Sequence, residues 1–241
     1  MPDAIFDDPR LAAVYDAFEG DRSDLTAYRA IIGELGATSV LDIGCGTGVL
    51  ALMLAADGVA VHAVDPAGAS LDVARSKPGA HAVRWHRGTV EDLPSLRVDV
   101  AVMTGNVAQV FTEDSQWDET LRVVHQMLRP GGHLVFESRR PERRAWEDWE
   151  RDAAPVQLHV EGVGDVIERF ELTGVALPLV SFRHRCTFAA DATTVTSEST
   201  LIFRSRTEIE QTLRTAGFVV REVRDAPDRP GREHVFIAQR D

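Results

Sequence analysis

The run VLDIGCGTG at residues 40–48 decides the fold. Its branched apolar start reads as a buried strand over 39–43 that ends around Asp42. The chain then turns through Gly44, Gly46 and Gly48 into a helix near 47–57. Glycine has no Cβ, so such a loop can take left-handed torsions and bring free N–H groups close to a ligand at a helix start. Spacing narrows the ligand. A dinucleotide fingerprint G-x-G-x-x-G counted from Gly44 requires glycine at 49, where this chain has Val49. Asp65, twenty-one positions after Gly44, stands where an acidic side chain accepts hydrogen bonds from ribose hydroxyls. A nucleoside is expected, without the pyrophosphate signature.

Outward from the loop, β-branched runs alternate with helical segments, the pattern of a parallel sheet with crossover helices. The strands are expected at 39–43, 59–64, 81–86, 98–103 and 133–138, with helices near 47–57, 67–77 and 113–128. LRPGG at 128–132 ends the last helix. Residues 8–35 read as two short helices joined at GDRSD, with Asp21 or Ser23 as N-cap. Residues 141–150 look helical, and 155–205 switch to period-two alternation with turns at GVGD (162–165) and ADATT (190–194). A helix with Thr207 as N-cap and Gly217 as its stop follows, then strands at 218–224 and 234–239.

The whole is an α/β, Rossmann-like, doubly wound and mostly parallel seven-stranded sheet with an antiparallel β-meander insert. It reads as one domain: a helical lid (1–36), a cofactor-binding core (37–140), a β-rich substrate or dimer insert (141–205) and a terminal helix and strand pair (206–241).

With 26 basic against 38 acidic residues, the net charge of −12 repels a phosphate backbone and disfavours nucleic acid as a partner. Cys45 and Cys186 are too few for a disulfide framework and suggest a reducing compartment. The acidic start MPDAIFDDPR lacks a signal-peptide pattern, and no apolar run approaches the ~20 residues that span a bilayer. A cytoplasmic protein without a membrane partner is expected. The eight histidines show no metal-ligand spacing, so no metal is expected.

Four motifs in order, VLDIGCGTG, AVDPA (63–67), GTVEDLP (88–94) and LRPGGHLVFES (128–138), resemble the motif series of class I S-adenosylmethionine methyltransferases over about 38–140. The resemblance implies S-adenosyl-L-methionine as cofactor. It assigns Asp42, Gly44, Cys45 and Gly46 to the methionine and ribose side, Asp65 to the ribose hydroxyls and Pro66 to the adenine. Where the family more often has Asp this chain has Thr89, leaving the Val90 N–H and Glu91 to meet the adenine amino edge. Thr104, Gly105 and Asn106 line the methyl-transfer site. YDAFEGDR (15–22) and the meander are more weakly similar to small methyltransferases of amino sugars or amino acids, by which Arg22 meets the cofactor carboxylate.

A sulfonium methyl donor is already activated, so the enzyme mainly aligns an N or O nucleophile of a small-molecule acceptor and excludes water. Glu137, at the carboxyl end of the fifth strand, and Tyr15, in the lid, are the candidate bases. The plainer reading of Glu137 is a carboxylate tying down Arg139 or Arg143, and Cys45 reads as a small filler. A homodimer through the insert, a non-catalytic cofactor-binding protein and an NAD-dependent oxidoreductase are the alternatives.

Overall fold

The computed structural model describes residues 1–241. Its central sheet has the order β10 (Phe218–Asp225), β11 (Glu233–Arg240), β5 (Leu128–Arg139), β4 (Val98–Met103), β1 (Ser39–Ile43), β2 (Ala60–Asp65) and β3 (Val83–Arg87). Only β11 runs against the rest, pairing antiparallel with both neighbours. The glycine-loop strand is therefore central. The chain leaves β1 toward β2 and β3, then returns on the other side through β4, which makes the carboxyl end of β1 a topological switch point.

Two apolar layers cover the sheet. On one face Leu41, Ile43, Ala101, Met103 and Phe136 meet α6 (Asp114–Met127) and α8 (Arg206–Thr215). On the other, Val40, Val61, Val100, Val102 and Val135 meet α3 (Asp24–Glu34) and α4 (Val49–Ala56). Alternate residues of each strand thus serve opposite layers, the requirement of a sheet buried on both sides. In α6 the spacing Trp117, Leu121, Val124 gives one apolar stripe, which is why a helix with few other apolar residues is held.

The second sheet is an antiparallel meander of β6 (Val156–Val160), β7 (Gly164–Ala176), β8 (Leu179–Phe188) and β9 (Thr193–Ile202). Before it come a short helical turn at Pro141–Arg143 and α7 (Ala145–Arg151). Ahead of α3, α1 (Ala4–Asp7) and α2 (Pro9–Glu19) bridge the two sheets. The Ile5 N–H donates to Ser197 Oγ at 2.8 Å on the meander, while Ser70 Oγ of α5 (Gly68–Ser76) donates to the Phe6 carbonyl at 2.7 Å.

Several details differ from the sequence reading. The N-terminal region holds three helices, because Asp8 caps α2 by accepting from the Arg10 and Leu11 N–H groups and so breaks α1 from α2. Neither residue of GDRSD caps α3 as expected: Ser23 makes no cap bond, and Asp21 accepts only from the Ser23 N–H. His81 lies in a helical turn at Ala80–Ala82, so it does not share β3 with His86. β5 begins at Leu128, not 133. Its pairing passes from Val98–Leu128 to Val100–His133, so RPGG is looped out as a bulge. The meander also turns at Leu177–Pro178, which no glycine or Asx pair marked in the sequence.

The cap of α8 is Ser205, two residues before Thr207. Ser205 Oγ accepts from the Glu208 N–H at 3.3 Å and Glu208 returns a bond to the Ser205 N–H at 2.7 Å. A reciprocal box satisfies two helix-end donors and outcompetes a threonine already inside the first turn. Ser205→Ala is expected to cost about 1 kcal/mol of stability and Thr207→Ala less than half of that, as read by urea denaturation. Equal losses would return the cap to Thr207.

Candidate functional site

The three loop glycines have different reasons to be glycine. A Cβ on Gly44 would lie 2.5 Å from Val107 Cγ2, and one on Gly48 2.4 Å from Trp85 Cη2. These two positions are fixed by packing inside the protein. Gly46 has φ +52° and nothing within 4 Å of its would-be Cβ, so its open side faces space that a ligand can fill. The Gly44 and Cys45 N–H groups donate to the Val64 carbonyl at 2.9 and 3.2 Å, anchoring the loop on β2.

Asp65 completes the cradle from the end of β2. Its carboxylate accepts from the Gly46 N–H and the Ala67 N–H, both at 2.8 Å, one on each oxygen. Each oxygen keeps a further lone-pair direction, so the side chain can still take a pair of hydroxyl donors. Burial pushes its pKa up, opposed by these two N–H groups.

Sheet register carries the other polar residues to one level. Asp42 is opposite Ala63 on β2 and Val102 on β4, and Val102 is opposite Val135. Two residues farther along each strand stand Gly44, Asp65, Thr104 and Glu137, side by side across the switch point. Glu137 Oε1 accepts from the Asn106 N–H at 2.5 Å, and the Asn106 amide donates to Glu233 at 3.4 Å. Asn106 is held at φ +61°, a left-handed conformation that costs a non-glycine residue free energy and that these two buried carboxylates maintain.

Three buried oxygens in this group have no hydrogen-bond partner: Asp42 Oδ1, Asn106 Oδ1 and Glu137 Oε2. Leaving a buried polar atom unsatisfied costs about 1–3 kcal/mol, so three such oxygens at one sheet end fit a bound group that donates hydrogen bonds. Burial raises the pKa of Asp42 to about 7, helped by the Asp65 charge and opposed by Arg22. Burial likewise raises Glu137 to about 7, against the Tyr28 hydroxyl and Asn106 N–H beside it.

Arg139 sits 3.5 Å from Glu233 and Arg143 donates to the Gly231 carbonyl, so neither pins Glu137. Tyr28 and Glu233 were not singled out from sequence. Their signals were a tyrosine on the apolar stripe Leu25, Tyr28, Ile32, and a glutamate opening the apolar run VFIA.

The N-terminal helices reach the glycine loop. Asp16 of α2 accepts from Thr47 Oγ1 of the glycine loop and pairs with Lys77 Nζ, each at 2.5 Å. Tyr15 is half-buried against Phe6, and burial together with Glu19 pushes its hydroxyl pKa up, so it is a neutral donor at ordinary pH. Arg22 is half-buried, bonded to Asp24 at 3.1 Å and close enough to influence Asp42.

Pro66 is exposed beside Asp65, Thr104 half-buried, and Gly105 exposed with open space at its Cα. Thr89 is occupied locally, its N–H and hydroxyl both donating to Asp92. Val90 is buried. Glu91 is engaged by α6. It accepts from the Thr120 hydroxyl at 3.3 Å and lines a separate cleft of about 480 Å³ beside α6. Burial holds the Cys45 thiol protonated, in keeping with a filler and not a nucleophile. No group of three or more histidine, cysteine or acidic side chains is placed to hold a metal ion. No helix is long and apolar enough to cross a membrane.

A seven-stranded, mostly parallel sheet with a glycine loop and a buried carboxylate at the switch point is the Rossmann-like fold seen in class I S-adenosylmethionine-dependent methyltransferases. Residues 40–132 match the family described as a methyltransferase domain. It is 33% identical over 118 residues to cypemycin N-terminal methyltransferase of a Streptomyces species, 48% of each chain. It is 30% identical over 166 residues to rat (Rattus norvegicus) glycine N-methyltransferase, 58% of this chain and 54% of that one. The chain spans about half or less of the length of the curated relatives it matches. Among solved structures, an amino pentose methyltransferase from Micromonospora echinaspora involved in calicheamicin biosynthesis superposes with TM-score 0.73. It is 22% identical and covers 95% of this chain and 97% of that one.

The raised carboxylates have a consequence for stability. Folded Asp42 and Glu137 keep protons up to about pH 7 that the unfolded chain releases near pH 4. Their contribution is therefore fully present below pH 4 and is lost as pH rises toward 7. Asp42→Asn is expected to flatten the fall of urea stability between pH 4.5 and 7.5 in the protein without cofactor, measured against the parent. An unchanged slope would show that Asp42 titrates normally.

Proposed function

We propose that the chain transfers the methyl group of S-adenosylmethionine to an amine nitrogen of a small-molecule acceptor. The observation that carries this reading is the pair of buried, unpartnered oxygens on Asn106 and Glu137, beside a third on Asp42 that faces the cofactor's amino-acid end. A group that completes such a set must bring N–H or O–H donors, and an amine brings more than one. The two curated relatives described above are named for an N-terminal and a glycine N-methyl acceptor, and the solved neighbour for an amino pentose. The net charge of −12 argues against a nucleic acid in the acceptor's place.

S-adenosylmethionine supplies a methyl group already activated on a positively charged sulfur. The chain's own residues then have four tasks. Asp65 accepts the ribose hydroxyls while it holds the Gly46 N–H, and Gly46 leaves room for the nucleoside at its open side. Pro66 and the Val90 N–H border the adenine, while Arg22 and Asp42 meet the charged amino-acid end. Thr104, Gly105 and Asn106 line the transfer site, where Asn106 Oδ1 and Glu137 Oε2 accept from the acceptor amine and point its lone pair. With a pKa near 7, Glu137 takes the ammonium proton at neutral pH. Tyr15 donates a hydrogen bond instead of acting as base. The helices at 1–36 exclude water, and the insert at 141–205 covers the acceptor.

Conversion of S-adenosylmethionine to S-adenosylhomocysteine with amine acceptors tests this directly. The rate is expected to rise with pH through about 7, and Glu137→Gln to lower kcat by 10²- to 10⁴-fold and remove that limb. A variant with full rate and the same pH limb would end the assignment of Glu137 as base. Asp65→Ala is expected to weaken S-adenosylmethionine by about 1.5–3 kcal/mol in calorimetry, the range for a hydrogen bond to a charged group. Unchanged affinity would remove Asp65 from the cofactor site.

A further inference from the structure

Strand alternation gives the meander an inner face with three zones. At one end Val166, Cys186 and Phe188 are covered by Leu11 and Val14 of α2. At the other end Val180, Leu172 and Leu201 are covered by Trp146 and Trp149 of α7, with Phe203. Between the two helices lie Glu168 and Phe170 on β7 and Phe182 and His184 on β8, none of them in either cluster and all of them only partly buried. Both strands present these four residues to the same side, because Phe170 is directly opposite His184 and Leu172 opposite Phe182.

The middle zone is built of aromatic surface with one polar pair. Phe170 and Phe182 stack at 5.5 Å with 29° between their planes, and Trp149 closes the side edge-on to Phe182 at 5.6 Å. His184 Nδ1 is 2.8 Å from Glu168 Oε1, and the two side chains keep 24% and 19% exposure, so the pair is reachable. The zone is joined to the transfer site. Arg139, two residues past Glu137 on β5, places its guanidinium 5.0 Å over the Trp149 ring. From Glu168 to Phe170 the floor is about 7 Å long at ordinary strand rise. The opposite face of the same strands carries Arg183 and Arg185 paired with Glu171, a solvated charge ladder that gives the fold reason enough to be a sheet there but not to line its other side with rings.

We propose that this zone between α2 and α7 is the acceptor site, and that the acceptor is an amine on a ring body whose far end donates a hydrogen bond to the Glu168–His184 pair. The inference rests on the methyl-transfer reading above and adds to it the acceptor's shape and the residues that select it. The ring's flat face lies on Phe170 and Phe182, its nitrogen points toward Asn106 and Glu137, and Glu168 accepts from the distal group. Glu168 and Phe182 are specificity residues remote from the transferred methyl, so their loss acts on acceptor binding and not on the transfer step.

The test uses the full chain with radiolabelled S-adenosylmethionine and three probes: trans-4-aminocyclohexanol, cyclohexylamine and glycine. The wild-type protein is expected to favour aminocyclohexanol over cyclohexylamine by about tenfold in kcat/KM, with glycine weaker than both. Glu168→Ala should raise KM for aminocyclohexanol about tenfold, leave kcat within threefold and erase the preference over cyclohexylamine. Phe182→Leu should raise KM for both ring amines. Arg185→Ala, on the outer face, should change neither.

Calorimetric affinity for S-adenosylmethionine, unchanged in each variant, verifies that the fold is intact. Glycine used as well as the ring amines, an unaltered preference in Glu168→Ala, or no ring amine methylated by a protein that binds the cofactor each overturns the proposal. Failure of the wild-type protein to bind S-adenosylmethionine overturns the methyl-transfer reading, and this one with it.

Discussion

The Asp65 carboxylate, held between the N–H groups of Gly46 and Ala67, joins the first loop of the sheet to the second. Without it the glycine loop would be anchored to β2 only by backbone bonds to the Val64 carbonyl. Each side of this bridge then sets further geometry. The loop conformation puts Gly44 against Val107 and Gly48 against Trp85, so β3 and the segment after β4 are packed onto the same turn. Thr47, in the same turn, is bonded to α2 through Asp16. A charged side chain buried to this degree is tolerated because both oxygens are hydrogen-bonded, and each oxygen keeps a lone pair for a further donor.

The opposite side of the switch point follows a different rule. Asp42 and Glu137 are buried beside other acids, and both respond by holding a proton to about pH 7. Asn106 is kept in a strained conformation between Glu137 and Glu233. Structural sites seldom combine raised carboxyl pKa values, unpartnered acceptors and a left-handed non-glycine residue, and binding sites use all three. The meander extends this site sideways with aromatic surface, while its outer face stays charged and solvated.

Much of this was legible in the sequence, for identifiable reasons. The strands at 39–43 and 98–103 were read to the residue because their apolar runs are bounded by glycine, proline or charge. The glycine loop at the end of β1 and the acid at the end of β2 were legible as neighbours because both positions depend on spacing along the chain. Where backbone pairing decides, the reading failed: the RPGG bulge at the start of β5 and the turn at Leu177–Pro178 are set by partner strands. The cap at Ser205 was missed because Thr207 offers the same side-chain oxygen two residues later, and only the reciprocal bond from Glu208 distinguishes them. Tyr28 and Glu233 join the site from α3 and β11, each far from Glu137 along the chain and on opposite sides of it, and no local pattern carries such convergence. Glu91 shows the reverse, a residue adjacent to the motif whose side chain is taken by Thr120.

The central claim is that the space beside Gly46 and Asp65 is a nucleoside cradle opening onto Asn106 and Glu137. A crystal structure of the chain with S-adenosylhomocysteine tests it most directly. The account predicts both ribose hydroxyls within hydrogen-bond distance of the Asp65 carboxylate, the nucleoside against the open side of Gly46, and the thioether sulfur facing Asn106 across from Glu137. A nucleoside bound elsewhere, or one that leaves Asp65 without a ribose contact, would contradict it.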